Sequence, residues 1–115
     1  MTATDWIENY KKAWGSNNPD DIRALFTIDA TYAYSPNGDT SRGHDEIVAS
    51  WLEGKDEPGD YSFEYWVVIE NDEVAVVQGV TDYTASGGEV YDNLWVIKLS
   101  GDQATEFTEW YIKRD

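Results

Sequence analysis

Four polar side chains interrupt strand-like apolar runs, and they are the first candidates for chemistry. Gln78 follows Val74-Ala75-Val76-Val77, and Asp82 falls on the same face as Gln78. Asn93 shares a face with Tyr91, Trp95, Ile97 and Leu99, and Glu109 shares one with Phe107 and Tyr111. If these faces point inward, each polar group is buried and needs a hydrogen-bond partner or a catalytic task. A buried Glu109 holds its proton to higher pH and can serve as a general acid or base. The other reading sets Glu109 at a solvated rim or ties it to tyrosine hydroxyls. His44, near Arg42 at the mouth of a helix, is a second candidate base; a surface histidine capping a helix start is the plainer reading. Asp82, Asp92 and Glu109 carry hard-cation donors, but no ligand spacing joins them, and we expect no metal and no cofactor.

Other chemistries are excluded by composition. The chain has no cysteine, which removes disulfide frameworks, thiolate metal sites and cysteine nucleophiles. Its one histidine leaves no multi-histidine zinc site, and only His44 could serve a serine triad. Eight basic against 23 acidic residues give a net charge of −15, which repels nucleic-acid phosphates and anionic membrane surfaces. The acids are scattered (Asp20-Asp21, Asp45-Glu46, Asp56-Glu57, Asp72-Glu73), as on a solvated surface, and the pattern also fits a salt-rich habitat. No apolar run reaches membrane-span length and no signal-peptide pattern opens the chain, so we expect a cytoplasmic protein.

The elements that must position these residues are legible from periodicity. The 115 residues allow one domain, 1–115, with one core. Trp6, Ile7, Tyr10, Ala13 and Trp14 form one stripe of an amphipathic helix, with Asp5 and Glu8 as a capping box and Gly15 as its end. Asn18-Pro19-Asp20-Asp21 opens a second helix, with Ile22, Leu25 and Phe26 on its apolar face. Ile28 to Ser35 reads as a strand, Pro36-Asn37-Gly38 breaks it, and a polar loop follows. Gly43-His44-Asp45-Glu46 opens a third helix whose buried face is Ile47, Val48, Trp51 and Leu52. Strands follow at Tyr61–Glu70, Glu73–Ala85, Glu89–Ser100 and Gln103–Lys113. Helices first and a meander afterwards predict an α+β fold with the helices on one face of the sheet.

Six Trp and eight Tyr are many for so short a chain. Trp14, Trp51 and Trp95 are the strongest inward candidates. Each ring has an apolar body and a polar tip, which suits a cavity wall; filling a dry core is the alternative.

The order of weak motifs resembles a known family. Asn9-Tyr10 to Phe26, Asp29-Ala30-Thr31-Tyr32, Gly43 with Glu46-Ile47, Asn93-Leu94-Trp95-Val96-Ile97 and Glu106-Phe107-Thr108-Glu109-Trp110-Tyr111 are similar to the SnoaL-like branch of the nuclear transport factor 2-like superfamily. That resemblance implies a cone-shaped α+β barrel, with three N-terminal helices on a strongly curved, mixed, mostly antiparallel sheet. It also implies an internal cavity and a homodimer packed through the sheet. Ketosteroid isomerases, polyketide cyclases, epoxide hydrolases and dehydratases share this frame. Tyr10 matches the oxyanion-binding tyrosine of the ketosteroid isomerases, but their base falls at Tyr34, beside Ser35, and their neutral acid at Trp95. Neither can take that role. The epoxide-hydrolase pattern needs two carboxylates bridged by arginine, and Arg23, Arg42 and Arg114 lie off the central strands.

Three functions follow as expectations; one is a protein-interaction module whose dimer or partner surface is the outer sheet face of Val90, Leu94, Val96 and Trp110, and two use a cavity. Of these two, the first is binding of a small apolar or aromatic molecule in a cavity lined by Trp14, Tyr32, Tyr34, Trp51, Gln78, Asn93, Trp95, Phe107 and Tyr111. The second is a cofactor-independent isomerase, polyketide cyclase or dehydratase-like lyase using a cavity carboxylate, Glu109, with Tyr10 and Asn93 orienting the substrate; Asp82 and His44 are the alternative acid or base.

Overall fold

The computed structural model describes residues 2–115. Helix α1 spans Ala3–Ser16 and buries Ala3, Trp6, Ile7, Tyr10 and Ala13. Its capping box lies one turn before the expected one. The Thr2 side chain accepts from the Asp5 N–H at 3.2 Å, and Asp5 accepts from the Thr2 N–H at 2.9 Å. Gly15 stays helical, and the chain leaves the helix at Asn17, whose φ of 51° is the left-handed conformation that asparagine tolerates best after glycine.

Helix α2 is a short turn, Pro19–Ala24, with the Asn18 side chain accepting from the Asp20 N–H at 2.8 Å. Phe26 does not continue it. Strand β1 runs Phe26–Ala33, so it begins and ends two residues before the expected strand. The segment expected as polar loop contains β2, Thr40–Arg42, paired antiparallel with residues 31–33 of β1. Helix α3, Gly43–Glu53, buries Ile47 and Val48 against β1 and β2.

The meander follows as β3 (Ser62–Glu70), β4 (Val74–Asp82), β5 (Val90–Ser100) and β6 (Gln103–Lys113). Strand β4 stops at Asp82, short of the expected Ala85. The Asp82 carboxylate accepts from both Thr84 N–H and Thr84 Oγ1–H and starts a short 3-10 turn, Thr84–Ser86. The six strands form one open sheet in the order β2-β1-β6-β5-β4-β3. Only β1 and β6 pair in parallel; the other neighbours are antiparallel. Register breaks between Phe26 and Thr31, Val67 and Ile69, and Lys98 and Leu99 bend the strands where they occur.

The helices pack on one face of the sheet, and Phe107 is fully buried in the core between them. Its ring lies 5.9 Å from Trp6, 5.5 Å from Tyr10, 4.5 Å from Tyr32 and 5.1 Å from Trp95. Gly79 on β4 is also buried and leaves room for Phe63. A Cβ there would stand 2.7 Å from the Phe63 ring and 2.9 Å from the Glu64 carbonyl.

The inward face of β4 is Ala75, Val77, Gly79 and Thr81. Gln78 and Asp82 do share a face, as expected, but it is the outer one. Gln78 is exposed and accepts from Trp66 Nε1–H at 3.2 Å on that side. The reason is that Val74 to Val77 is apolar on both parities, so alternation alone could not orient the strand. Asp92 also faces outward, where it is clamped by Arg114 at 2.6 Å.

Candidate functional site

Between the helices and the sheet lies a cavity of about 690 Å³, open to solvent at one end. Tyr10 of α1, Tyr32 and Tyr34 of and after β1, Trp51 of α3, Trp95 and Asn93 of β5, and Glu109 of β6 surround its inner part. Trp14, Asp56, Tyr83, Glu89, Tyr91 and Tyr111 stand around the rest.

Glu109 reaches this wall because β5 and β6 run antiparallel in a register that sets it directly opposite Trp95. Trp95 Nε1–H donates to Glu109 Oε2 at 2.7 Å, and Asn93 Nδ2–H donates to the same oxygen at 3.4 Å. Thr81, buried on β4, donates its hydroxyl to Asn93 Oδ1 at 2.7 Å, which turns the Asn93 amide N–H₂ toward Glu109. The chain of donors therefore runs from Thr81 through Asn93 to the carboxylate. Burial among rings nevertheless penalises the charge more than these donors favour it, and the carboxyl is pushed up to about 7.

Opposite it, Tyr10 and Tyr32 share one hydrogen bond at 2.7 Å between their hydroxyl oxygens. Desolvation first, and then the nearby Glu109 and the neighbouring phenols, hold both hydroxyls well above the usual tyrosine range. They are neutral donors at any ordinary pH. Two hydroxyls joined by a single bond leave one proton free to point elsewhere.

The outer wall is tied by Asp56. Its Oδ2 accepts from Trp14 Nε1–H at 3.0 Å and from Tyr83 Oη–H at 2.9 Å. Asn17 joins the same region to α3: its amide donates to the Asp56 carbonyl at 2.8 Å and accepts from Trp51 Nε1–H at 3.1 Å. Thus the left-handed residue that ends α1 also sets two walls of the cavity. Sequence reasoning missed Asn17, Asp56, Thr81 and Tyr83. The one available signal was an asparagine directly after a helix, which marks a left-handed cap but not its partners.

Of the residues expected at a site, Tyr10, Trp14, Tyr32, Tyr34, Trp51, Asn93, Trp95, Glu109 and Tyr111 line the cavity. Gln78, His44 and Phe107 do not. Gln78 lies on the outer face, as above. Phe107 is beneath the wall, covered by the rings of Tyr10, Tyr32 and Trp95. His44 turns to the start of β1, where its Nε2–H donates to the Phe26 carbonyl at 2.8 Å; a carbonyl can only accept, so the ring is a tether there. Tyr34 is half-buried, with hydroxyls of Ser41 and Ser50 beside its own. Among the described residues no group of three or more His, Asp or Glu is arranged to hold a metal ion. No helix of the described residues is long and apolar enough to cross a membrane.

The arrangement offers a proton that exchanges near neutrality, two neutral phenols across from it, and ring faces between. The sequence of residues 7–107 matches the model of the SnoaL-like domain. No curated protein matches in sequence. Solved structures share the fold at low identity. A protein from Sphaerobacter thermophilus is 23% identical with a TM-score of 0.77, covering 100% of this chain and 99% of its own. A ketosteroid isomerase candidate from Kribbella flavida is 13% identical with a TM-score of 0.74, covering 96% of this chain and 78% of its own. A polyketide cyclase candidate from Sinorhizobium meliloti is 18% identical with a TM-score of 0.71, covering 92% and 94%. With three helices on a six-stranded mixed sheet, and the family model matched across 7–107, the chain belongs to the SnoaL-like domain family.

Proposed function

We propose that this protein binds a small, largely apolar or aromatic molecule in the cavity between helices and sheet. The observation that carries the reading is the wall itself. About 690 Å³ is lined by rings that include Tyr10, Trp14, Tyr34, Trp51 and Trp95, with the carboxyls of Glu109, Asp56 and Glu89. A space of that size, with nine aromatic side chains in its wall and several convergent polar groups, is the usual form of a small-molecule site. Trp14, Trp51 and Trp95 report on occupancy by fluorescence. Titration with aromatic alcohols, aromatic acids, steroids and polyketide-like phenols is expected to quench or shift the emission saturably with at least one class. No response from any class, with the protein folded by circular dichroism, overturns the reading.

A second reading is favoured by Glu109, whose carboxyl exchanges its proton near pH 7. As carboxylate it accepts a proton from a carbon next to a substrate carbonyl; as acid it returns that proton to another carbon. The net change is isomerisation, with no other reactant. The free hydroxyl proton of the Tyr10–Tyr32 pair donates to the carbonyl oxygen as negative charge develops there. Deuterium exchange into a candidate carbonyl compound, lost in Glu109→Gln, supports it; exchange at the same rate in that variant overturns it.

We also propose a homodimer through the sheet. Trp66, Gln78, Leu94 and Trp110 are consecutive register partners across β3 to β6 on the outer face. With Val76, Val96 and the exposed Ile112 they make an apolar patch on a chain of charge −15. Light scattering is expected to give twice the chain mass, falling to one in Trp110→Glu.

A further inference from the structure

Glu109 is a carboxylate provided with donors but with no counter-ion. Both of its hydrogen bonds reach Oε2, and Oε1 takes none from the described residues. Among the described residues no buried side-chain oxygen lacks a partner, so Oε1 retains solvent contact, and Glu109 lines the cavity. None of the ion pairs of the described residues includes Glu109. Among the described residues the one cationic side chain along the cavity is Lys55, which lies 3.7 Å from Glu57. Two more acids, Asp56 and Glu89, border the same space. The remaining wall is largely ring, and ring faces attract cations. Trp14, Tyr34, Trp51, Tyr83 and Tyr91 line the cavity and are partly exposed, so theirs are the rings a cation can reach; Tyr10 and Trp95 also line it but are buried.

Resting on the cavity-binding reading, we infer that the preferred ligands are organic ammonium ions, an amine on an aromatic or apolar body, whose charge pairs with Glu109 Oε1. A neutral ligand fills the volume but leaves the carboxylate unpaired in a poorly solvated place. An ammonium removes that penalty and gains the ring faces. The strong negative charge of the whole chain raises the local concentration of such cations.

The groups facing Glu109 are consistent with one titrating centre. Tyr10 on α1, Tyr32 on β1, Tyr34 just after it and Tyr83 beyond β4 all sense its charge, and all four are shifted upward, so they remain neutral. Asn93, Trp95 and Thr81 carry no charge. Asp56, Glu89 and Lys55 are the charged groups toward the opening.

The test uses matched probes, 2-phenylethylamine against 2-phenylethanol and tryptamine against tryptophol, titrated by calorimetry at pH 8 in 150 mM salt. Each amine is expected to bind about tenfold tighter than its alcohol. In Glu109→Gln that ratio is expected to fall to near one, while Glu106→Gln, on the outer face beside Lys98, keeps it. In the unaltered protein at pH 6.5, amine binding is expected to release protons, read from buffers of different ionisation enthalpy, because pairing favours the ionised carboxyl. Alcohols that bind as tightly as amines, a preference that survives in Glu109→Gln, or no proton release overturns the inference and leaves cavity binding standing. Failure of all four probes overturns it too, while the broader ligand panel still decides the cavity reading separately.

Discussion

Trp95 and Glu109 sit directly across from one another on β5 and β6, and the indole N–H of the first donates to the carboxylate of the second at 2.7 Å. The pair sets two opposing effects on one group. Burial beside large rings disfavours the charge, and the donated hydrogen bond favours it. Burial is the larger, so the acid titrates close to 7.

That balance has a consequence for stability. The folded-state value of about 7 lies above the ordinary 4.5 of an unfolded chain. Glu109 therefore costs nothing below pH 4.5, and its burden grows as pH rises through 7. The shift corresponds to at most about 3 kcal/mol, reduced by the cavity water in contact with the carboxylate. Urea unfolding at pH 4 and pH 8 is expected to show Glu109→Gln gaining on the parent between the two. Equal pH slopes in the two proteins would falsify the buried-acid description.

Removing the indole donor pushes the other way. Trp95→Phe leaves Glu109 with only the 3.4 Å bond from Asn93. Its carboxyl is expected to titrate higher than in the parent, as followed by carbon-detected NMR of the side chain. The variant also loses about 1–3 kcal/mol of stability, because Trp95 is fully buried and the space is not refilled. A titration that stays put or moves lower contradicts the role assigned to the bond.

Tyr10 and Tyr32 are coupled through a buried hydroxyl pair. Each single change to Phe strands the other oxygen and is expected to cost about 1–3 kcal/mol. The double change removes both and is expected to cost less than the sum. Additive costs in chemical unfolding mean that the hydroxyls do not depend on one another.

Gly79→Ala tests the closeness of β3 to β4. The added methyl meets both a ring and a carbonyl, and the carbonyl cannot move without disturbing the ladder. A loss of about 1–3 kcal/mol is expected in thermal unfolding. A neutral or stabilising result shows that Phe63 and the strand yield freely.

The net charge of −15 predicts self-repulsion in the folded state. Melting temperature is expected to rise from 0.05 to 1 M potassium chloride as the charges are screened. A flat or falling curve removes electrostatic strain as a factor in this chain, and with it the salt-habitat reading of its acidity.

Local signals carried the elements. Asn18-Pro19 starts α2 because an asparagine cap and a proline first turn act within four residues, and the Trp6-Tyr10-Ala13 stripe marks α1 for the same short-range reason. The pairing of Asn93 with Trp95 on one face was likewise legible, since β5 alternates without interruption there. What folding alone decided was which face looks inward and who meets whom. Val74 to Val77 reads as apolar on both sides, and only pairing with β3 and β5 sends Val77 in and Gln78 out. His44 became a tether for Phe26, and Asp56 an anchor for Trp14 and Tyr83, through contacts 18, 42 and 27 residues apart. Periodicity reports a residue's neighbours along the chain, whereas the environment of a polar tip is set by strands and helices that arrive from elsewhere.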